Sequence, residues 1–439
     1  MNTRQEQIQQ LADEIRNESG VPGLALSLAR NGQQAFVASG VARVNADRSI
    51  GADARFDLSC LMKFFLSVTA LKLAARGRLD LQADISSLLP ELGPARGIRL
   101  VNLMSHTGGY HGLDITDMTV RWNSKWDSFA ARFRERSQLF PPGMTFNYEH
   151  SEHVVLGEAL RRLFGQSPSR LVTDTLLAPI GVAPQDASAS DATVTSHAYS
   201  VQKGAYVPAR LPPFGPFWEA SLPAMTITLD EVIAVAGAAF ADRDIAAGLR
   251  AAVAGLPEMA RSEPRAERPP RHFSAACGIY EDGLLGHNGS MAGQTIGFRS
   301  DPQTGAIAVA AVNAYSPHAR DGLLRRALDF AAGRLDRPSQ QRRGEPLVYP
   351  GEFLFDGVAP QSLTGRYIGS YLGEVRIDAS GDGLDVTVGP AGNRQSGFKI
   401  ARIAAGYAIQ SKMPVAIRFT KAADGTPVLY LGVHAYKAD

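Results

Sequence analysis

Phe56-Asp57-Leu58-Ser59-Cys60-Leu61-Met62-Lys63-Phe64-Phe65-Leu66-Ser67, continuing through Thr69-Ala70-Leu71-Lys72-Leu73-Ala74-Ala75, is the stretch on which the rest of the chain depends. Its second half reads as a helical run. Cys60 and Lys63 stand three residues apart, so on a helix the two side chains share a face and can touch. A nucleophile with an amine beside it is a pattern of covalent catalysis. The plain alternative for Cys60 is a small packed residue, because free cysteine is among the most buried types.

Bulk properties narrow the classes. At 439 residues the chain exceeds one average domain, and a main domain with a smaller one is expected. With 45% hydrophobic and 20% charged residues it has the composition of a soluble globular protein. A net charge of +2 offers no electrostatic case for nucleic acid or a membrane surface, so neither is expected as a partner. Met1-Asn2-Thr3-Arg4-Gln5-Glu6-Gln7 lacks the apolar core of a signal peptide. No stretch approaches the roughly 20 apolar residues of a membrane span. Two cysteines, Cys60 and Cys277, make no disulfide framework, and no cofactor is called for. A cytoplasmic location is the expectation.

Outward from the Cys60 stretch, residues 5–18 carry Ile8, Leu11 and Ile15 at helical spacing, and Gly20-Val21-Pro22-Gly23 ends that helix. Residues 24–29 and 35–44 alternate around Arg30-Asn31-Gly32, which predicts a hairpin. Residues 115–140, with Trp122 and Trp126, read equally well as a cleft wall or a surface helix pair. Phe140-Pro141-Pro142-Gly143 turns into a helix over 154–164. Residues 183–223 are rich in Ser, Ala, Pro and Gly and read as loops, in which Phe214, Phe217 and Trp218 form either a substrate platform or ordinary packing. Thr228-Leu229-Asp230-Glu231 opens a helix. Residues 261–271 form a charged, Pro-rich loop, and strands are expected at 275–280, 284–287, 294–300 and 306–313. Cys277 then sits in a strand as a structural residue. Residues 336–362 hold Pro338, Pro346, Pro350 and Pro360 and read as a linker between a domain at 1–335 and a small β domain at 363–439.

The words Phe56-Asp57-Leu58-Ser59-Cys60-Leu61-Met62-Lys63, Leu103-Met104-Ser105-His106-Thr107-Gly108-Gly109, Tyr148-Glu149-His150 and His287-Asn288-Gly289 occur in this order. Together they resemble the serine β-lactamase and penicillin-binding-protein superfamily, in its branch of class C-related esterases, D-aminopeptidases and penicillin-binding-protein-type thioesterases. The first word matches that superfamily's Ser-x-x-Lys motif, with Cys60 where the family carries Ser. The third stands for its Tyr-x-Asn, with His150 replacing Asn. The fourth matches the His-x-Gly of the D-aminopeptidase and some esterase branches. The resemblance covers residues 5–335. It implies an α+β, β-lactamase/transpeptidase-like fold: an antiparallel sheet flanked by helices, an all-helical region, and a small C-terminal antiparallel, barrel-like, lipocalin-like unit. The helix closing the main domain, at 322–334, is implied the same way. His106 invites a catalytic reading, but the resemblance makes its segment a buttress, and a His at a helix-to-loop junction satisfies backbone groups. His153 reads as helix packing or surface.

By the same resemblance Cys60, Lys63 and Tyr148 are the catalytic residues. An acyl-enzyme route needs a nucleophile, a route for its proton and a place for the oxyanion. A helix N-terminus and a neighbouring ammonium both favour thiolate. Tyr148 then serves as the proton relay to the leaving group. His150 and His287 line the substrate, Gly289 lies on the strand beside the cleft, and the oxyanion is held by the N–H of Cys60 and one near Met291 or Ala292. His150, bulkier than Asn and titratable, puts the usual β-lactam and D-Ala-D-Ala specificity in doubt.

A thioester intermediate reacts with amines more readily, relative to water, than an oxygen ester does. Transfer of an acyl group is therefore expected, from a small peptide or acyl-thioester donor, free or carrier-protein-bound, to an amine acceptor. The penicillin-binding-protein-type thioesterases that cyclise peptides are similar, and D-stereospecific peptidases, amidases and carboxylesterases are the hydrolytic alternative. A Ser replaced by Cys at position 60, and a non-catalytic binding protein on this scaffold, also stay open on the sequence.

Overall fold

Asn31 and Gly32 hold φ values of 52° and 73°, the left-handed pair that a tight two-residue hairpin requires. They join β1 (Gly23–Arg30) to β2 (Gln33–Gly40) in antiparallel register, Leu26 opposite Val37. The expected hairpin is present. This computed structural model describes residues 4–438 apart from 95, 111–124, 137, 187–191, 201, 210–215, 252–253, 256–269, 271, 281, 292, 335–346, 350–357, 370–372, 389–395, 404–405, 411–417, 423 and 431–433. Ala292, Trp122, Phe214, most of the 261–271 loop and much of 336–362 lie outside the described residues. The chain divides into two compact units: Met1–Leu81 with Leu160–Ala252 and Arg265–Ser339, and Gln82–Ala159 with Val253–Pro264 and Gln340–Asp439.

In the first unit, three short strands form one small sheet: β3 (Phe56–Asp57), β4 (Gln185–Asp186) and β5 (Met225–Ile227), with β5 in the middle. The main antiparallel sheet adds β6 (His272–Phe273), β7 (Gly278–Ile279), β8 (Leu285–Met291), β9 (Gln294–Asp301) and β10 (Ala306–Val312) to the hairpin, in the order β2-β1-β10-β9-β8-β7-β6. Helices cover both faces, and every residue of β9 and β10 is buried. On one face lie α1 (Arg4–Ser19) and the closing Pro317–Ala331 helix, whose Ile8, Ala12, Ile15, Leu323 and Leu328 share a core with Leu24 and Leu26. On the other lie α2 (Leu61–Ala75), α3 (Leu229–Ala241) and α4 (Arg243–Arg250), with Phe64 4.7 Å from Phe298 of β9 and 6.5 Å from Phe240 of α3, ring centre to ring centre. The Pro317–Ala331 helix is α5. It begins earlier than 322 because Ser316 caps it and Pro317 occupies the first turn, where no backbone N–H is needed.

The Thr228 hydroxyl receives the Glu231 N–H, and the Glu231 carboxylate receives the Thr228 N–H, so α3 opens on a reciprocal cap as its sequence predicts. One strand is shorter than expected. Ser274 Oγ accepts the N–H groups of Ala276 and Cys277, folding residues 274–277 into a turn, and β7 starts only at Gly278. Cys277 therefore sits in that turn rather than in a strand. It is fully buried, and burial pushes its thiol up to about 11.

The second unit holds the short Leu100–Met104 helix, the Trp126–Arg134 helix and the beginning of the His150–Phe164 helix. The last starts at His150 rather than 154. Phe129 and Phe133 are buried, Trp126 stacks on Phe129 at 5.5 Å, and its indole N–H donates to the Glu91 carboxylate. The C-terminal region is an antiparallel sheet of β11 (Leu347–Tyr349), β12 (Gly365–Gly369), β13 (Gly373–Ser380), β14 (Gly383–Val388), β15 (Ser396–Ile403), β16 (Gly406–Gln410), β17 (Arg418–Lys421), β18 (Pro427–Tyr430) and β19 (His434–Lys437). Their order is β11-β16-β15-β14-β13-β12-β19-β18-β17. Val375, Ile377, Leu384 and Val386 face its core at period two, while Arg376 and Asp378 face solvent. Leu139 and Phe140 pack with Ala422 and Val428. Among the described residues no helix is long and apolar enough to cross a membrane.

Candidate active site

β3 pairs with β5, Asp57 opposite Thr226, and the Leu58 N–H extends the pairing to Met225 O at 2.9 Å. The chain then turns sharply. Ser59 adopts φ +49°, in the left-handed region that a non-glycine residue enters at a cost of roughly 1–2 kcal/mol. Its Oγ is buried and makes no hydrogen bond among the described residues. Cys60 follows as the N-cap of α2, and its carbonyl already accepts the Lys63 N–H at 3.0 Å. A strand ending in a strained turn at a helix N-terminus presents the Cys60 backbone N–H and thiol beside the positive end of the helix dipole. Gln294, at the start of β9, ties this corner down: its carbonyl accepts the Asp57 N–H at 3.3 Å, and its amide donates to Val194 O at 2.9 Å.

α2 is buried on every side as far as Leu71, and Lys63 is buried within it at 1% exposure. Burying an ammonium is costly unless polar groups meet it. The Lys63 Nζ reaches the Ser221 carbonyl at 3.5 Å, in the turn that follows Trp218. Trp218 is 2% exposed with its ring edge-on to Phe217, so the packing alternative holds for it. Cys60 keeps 7% of its surface, against none for Cys277. Asp57 is pushed up to about 6 by burial.

β8 brings the His287-Asn288-Gly289 word alongside. A methyl built on Gly289 would lie 3.2 Å from Ser59 Cβ and 3.3 Å from the Cys60 nitrogen, so any side chain there would push these neighbours back by a few tenths of an ångström. His287 is 4% exposed and held at about 3, first by burial and then by the Lys63 charge, with Arg299 and Arg320 acting the same way. It is neutral at neutral pH. Its Nδ1 stands 2.8 Å from the Asn288 carbonyl, which can only accept, so the hydrogen is on Nδ1 and Nε2 is an acceptor. Behind the strand, Arg299 holds the Asn288 side chain at 2.7 Å, and both Arg299 and Arg320 bind Asp321. Those two guanidinium groups hold Asp321 below its ordinary range although it is buried.

In the second unit a separate group of buried polar side chains surrounds Tyr148. His106 (φ +56°) places its ring centre 4.5 Å from that of Tyr148 and 4.7 Å from that of His153. His106 Nδ1 accepts the Glu149 N–H at 3.1 Å and lies 3.0 Å from Glu152 Oε2, while the Gly108 N–H donates to Glu152 Oε1 at 2.9 Å. As expected for a His at a helix-to-loop junction, His106 satisfies a backbone group. His153 is buried, on the packing side of its two expectations.

Of the residues singled out by sequence, the first unit gathers Cys60, Lys63, His287 and Gly289, with Met291 at the end of β8 opposite Gln294. Tyr148 and His150 belong to the second unit, their rings 6.1 Å apart, His150 opening its helix. Gln294, Ser221, Asp321 and Glu152 were not foreseen. Only Glu152 left a trace in the sequence: Tyr148-Glu149-His150-Ser151-Glu152-His153 is too polar for the helix start it occupies unless its groups satisfy one another.

An antiparallel sheet covered by helices, with Cys60 opening the buried helix α2, makes a β-lactamase/transpeptidase-like fold. The Beta-lactamase family model matches residues 8–332, and the chain belongs to that family. Penicillin-binding protein 4 of Amycolatopsis lactamdurans is 28% identical over 179 residues, 40% of this chain and 47% of that protein. The chain thus spans under half the length of this relative. The fold is similar to the crystal structure of SurE (TM-score 0.73, 20% identity, 99% of each chain). It is also similar to the D-amino acid amidase of Ochrobactrum anthropi SV3 (TM-score 0.62, 18% identity, 76% of this chain and 98% of that one).

Proposed function

We propose that this protein transfers acyl groups through a thioester formed on Cys60, taking a peptide-like or thioester-activated donor and passing it to an amine. The observation that carries the reading is the placing of Cys60 at the strained start of α2, one turn from the buried Lys63 and against the Gly289 backbone. A thiolate there is favoured by the helix N-terminus and the ammonium together. It attacks the donor carbonyl, and the Cys60 N–H with an N–H at the end of β8, near Met291 or Ala292, holds the oxyanion. Tyr148 is assigned the proton relay and His150 a substrate contact from their motif. His287 is held in one tautomer by the Asn288 carbonyl, and it is assigned a substrate contact from its motif. Amine attack on the thioester carbonyl then expels the thiolate and closes the cycle with an amide.

The donor is proposed to carry a D-configured residue at the reacting carbonyl. Two fold relatives support this by what they are described as holding or acting on: SurE with D-Leu, and a D-amino acid amidase. The amidase likeness also favours a second reading, in which water replaces the amine. Incubation with a peptidyl thioester bearing a free amine separates the two. Intact mass spectrometry is expected to show an adduct on Cys60, absent in Cys60→Ala, and an amide or cyclic product. Linear acid alone would leave the hydrolase.

A further inference from the structure

Tyr148 is held from three directions by one residue. The N–H before it, that of Asn147, donates to the His106 carbonyl at 2.8 Å. The N–H after it, that of Glu149, donates to His106 Nδ1 at 3.1 Å. The His106 ring lies against the Tyr148 ring, centres 4.5 Å apart and planes at 40°. Because Nδ1 receives the Glu149 N–H, the nitrogen carries no hydrogen of its own, and its one in-plane lone pair is shared with any second donor that reaches it. Glu152 Oε2 stands 3.0 Å from the same nitrogen. Two acceptors cannot share that distance without a hydrogen, and the one group left to supply it is the carboxyl. Oε1 has the opposite role. It accepts the Gly108 N–H at 2.9 Å, and a methyl on Gly108 would come within 2.5 Å of it, so the acid lies flush on the backbone.

We infer that His106 and Glu152 form a positioning pair for Tyr148 in which Glu152 is a neutral carboxylic acid, its Oε2–H donating to His106 Nδ1. The pair rests on the proton-relay role given to Tyr148 above. An ionised Glu152 facing an imidazolium would instead set the Nδ1 hydrogen against the Glu149 N–H, and would take two charges out of water. The surroundings favour the neutral form. Glu152 is 2% exposed, and burial, then the neighbouring Glu149 carboxylate, holds its carboxyl well above the usual range. Among the described residues, the other titratable groups facing the pair are Tyr110, Tyr148 and His153, with Arg96 acting on Tyr110 and the His150 ring beside that of Tyr148. When pH rises far enough to ionise Glu152, the donor is lost and His106 is released from Tyr148.

Glutamine at 152 keeps both hydrogen bonds and cannot ionise. In the full chain, the infrared difference between wild type and Glu152→Gln at neutral pH is expected to contain the carbonyl stretch of a protonated carboxylic acid. With a peptidyl thioester, Glu152→Gln is expected to lose at most about threefold in kcat and to hold activity further into alkaline pH. Glu152→Ala is expected to lose about tenfold in kcat with KM little changed, a lost buried hydrogen bond being worth about that factor. A carboxylate band in the difference spectrum, or Gln as damaging as Ala, would overturn the pairing, and the infrared measurement reads wild type whether or not the alanine variant folds. Unimpaired Cys60 acylation in Tyr148→Phe would remove the relay role and the positioning role with it, while the infrared band reports the proton's place independently.

Discussion

The backbone nitrogen of Cys60 and the Cα of Gly289 face each other so closely that a methyl on the glycine would stand 3.3 Å from that nitrogen. The same methyl would be 3.1 Å from Ile296 Cγ2 and 3.2 Å from Ser59 Cβ, distances that require each neighbour to yield by a few tenths of an ångström. Gly289→Ala is therefore expected to displace the start of α2 from β8. The fall in Cys60 acylation should be roughly tenfold to a hundredfold, since small misplacements of reacting groups are expensive in rate. Single-turnover mass spectrometry measures it, and an unchanged rate would mean that the close approach has no catalytic purpose.

Lys63 is the buried cation one turn from Cys60. Lys63→Met keeps the length and apolar character of the stem while removing the ammonium, so the helix should keep its packing. Alkylation of Cys60 by iodoacetamide at pH 7 is expected to slow by about tenfold or more, because the thiolate loses its nearest counter-charge. Peptide mapping distinguishes Cys60 from the fully buried Cys277, which serves as the internal reference.

Part of this site is legible in the sequence itself. The Cys60–Lys63 spacing, the Asn31-Gly32 hairpin and the Thr228–Glu231 cap are local patterns, each decided within a few residues, and each is present as read. The shortened strand at Gly278 was hidden because the Ser274 side chain competes with strand pairing, which residue type alone does not announce. The partners of the site residues were out of reach for a different reason. Ser221 and Lys63 are 158 positions apart, and His106 and Glu152 are 46 apart, and no periodicity encodes contacts made by tertiary folding.

His287 makes stability depend on pH. Its ordinary value is 6.5 and its folded value about 3, so between those limits the unfolded chain takes up a proton that the folded chain refuses. Stability from this residue is complete above 6.5 and is lost as pH falls, by about 1.4 kcal/mol per unit, until the folded imidazole itself titrates. Urea melts from pH 8 to pH 4 should show a shallower acid decline in His287→Gln than in wild type. Parallel slopes would place a protonated His287 in the folded chain.

Asp321 and Asp174 test how burial decides the worth of one kind of ion pair. Asp321 lies between Arg299 and Arg320, whose side chains are 8% and 4% exposed, whereas Asp174 meets an Arg170 that is 68% exposed. Asp321→Asn strands two buried guanidinium groups beside the strand that carries His287, and the expected loss is about 3–5 kcal/mol. Asp174→Asn breaks a pair that water already screens, and should cost less than about 1 kcal/mol. The folded Asp321 carboxyl lies below its ordinary 3.8, so its contribution is present above that value and disappears only as pH falls through the folded one. The difference between the two variants should therefore persist from pH 8 down to pH 5. Equal losses in denaturant melts of the two variants would show that Arg299 and Arg320 find other partners when the carboxylate is gone.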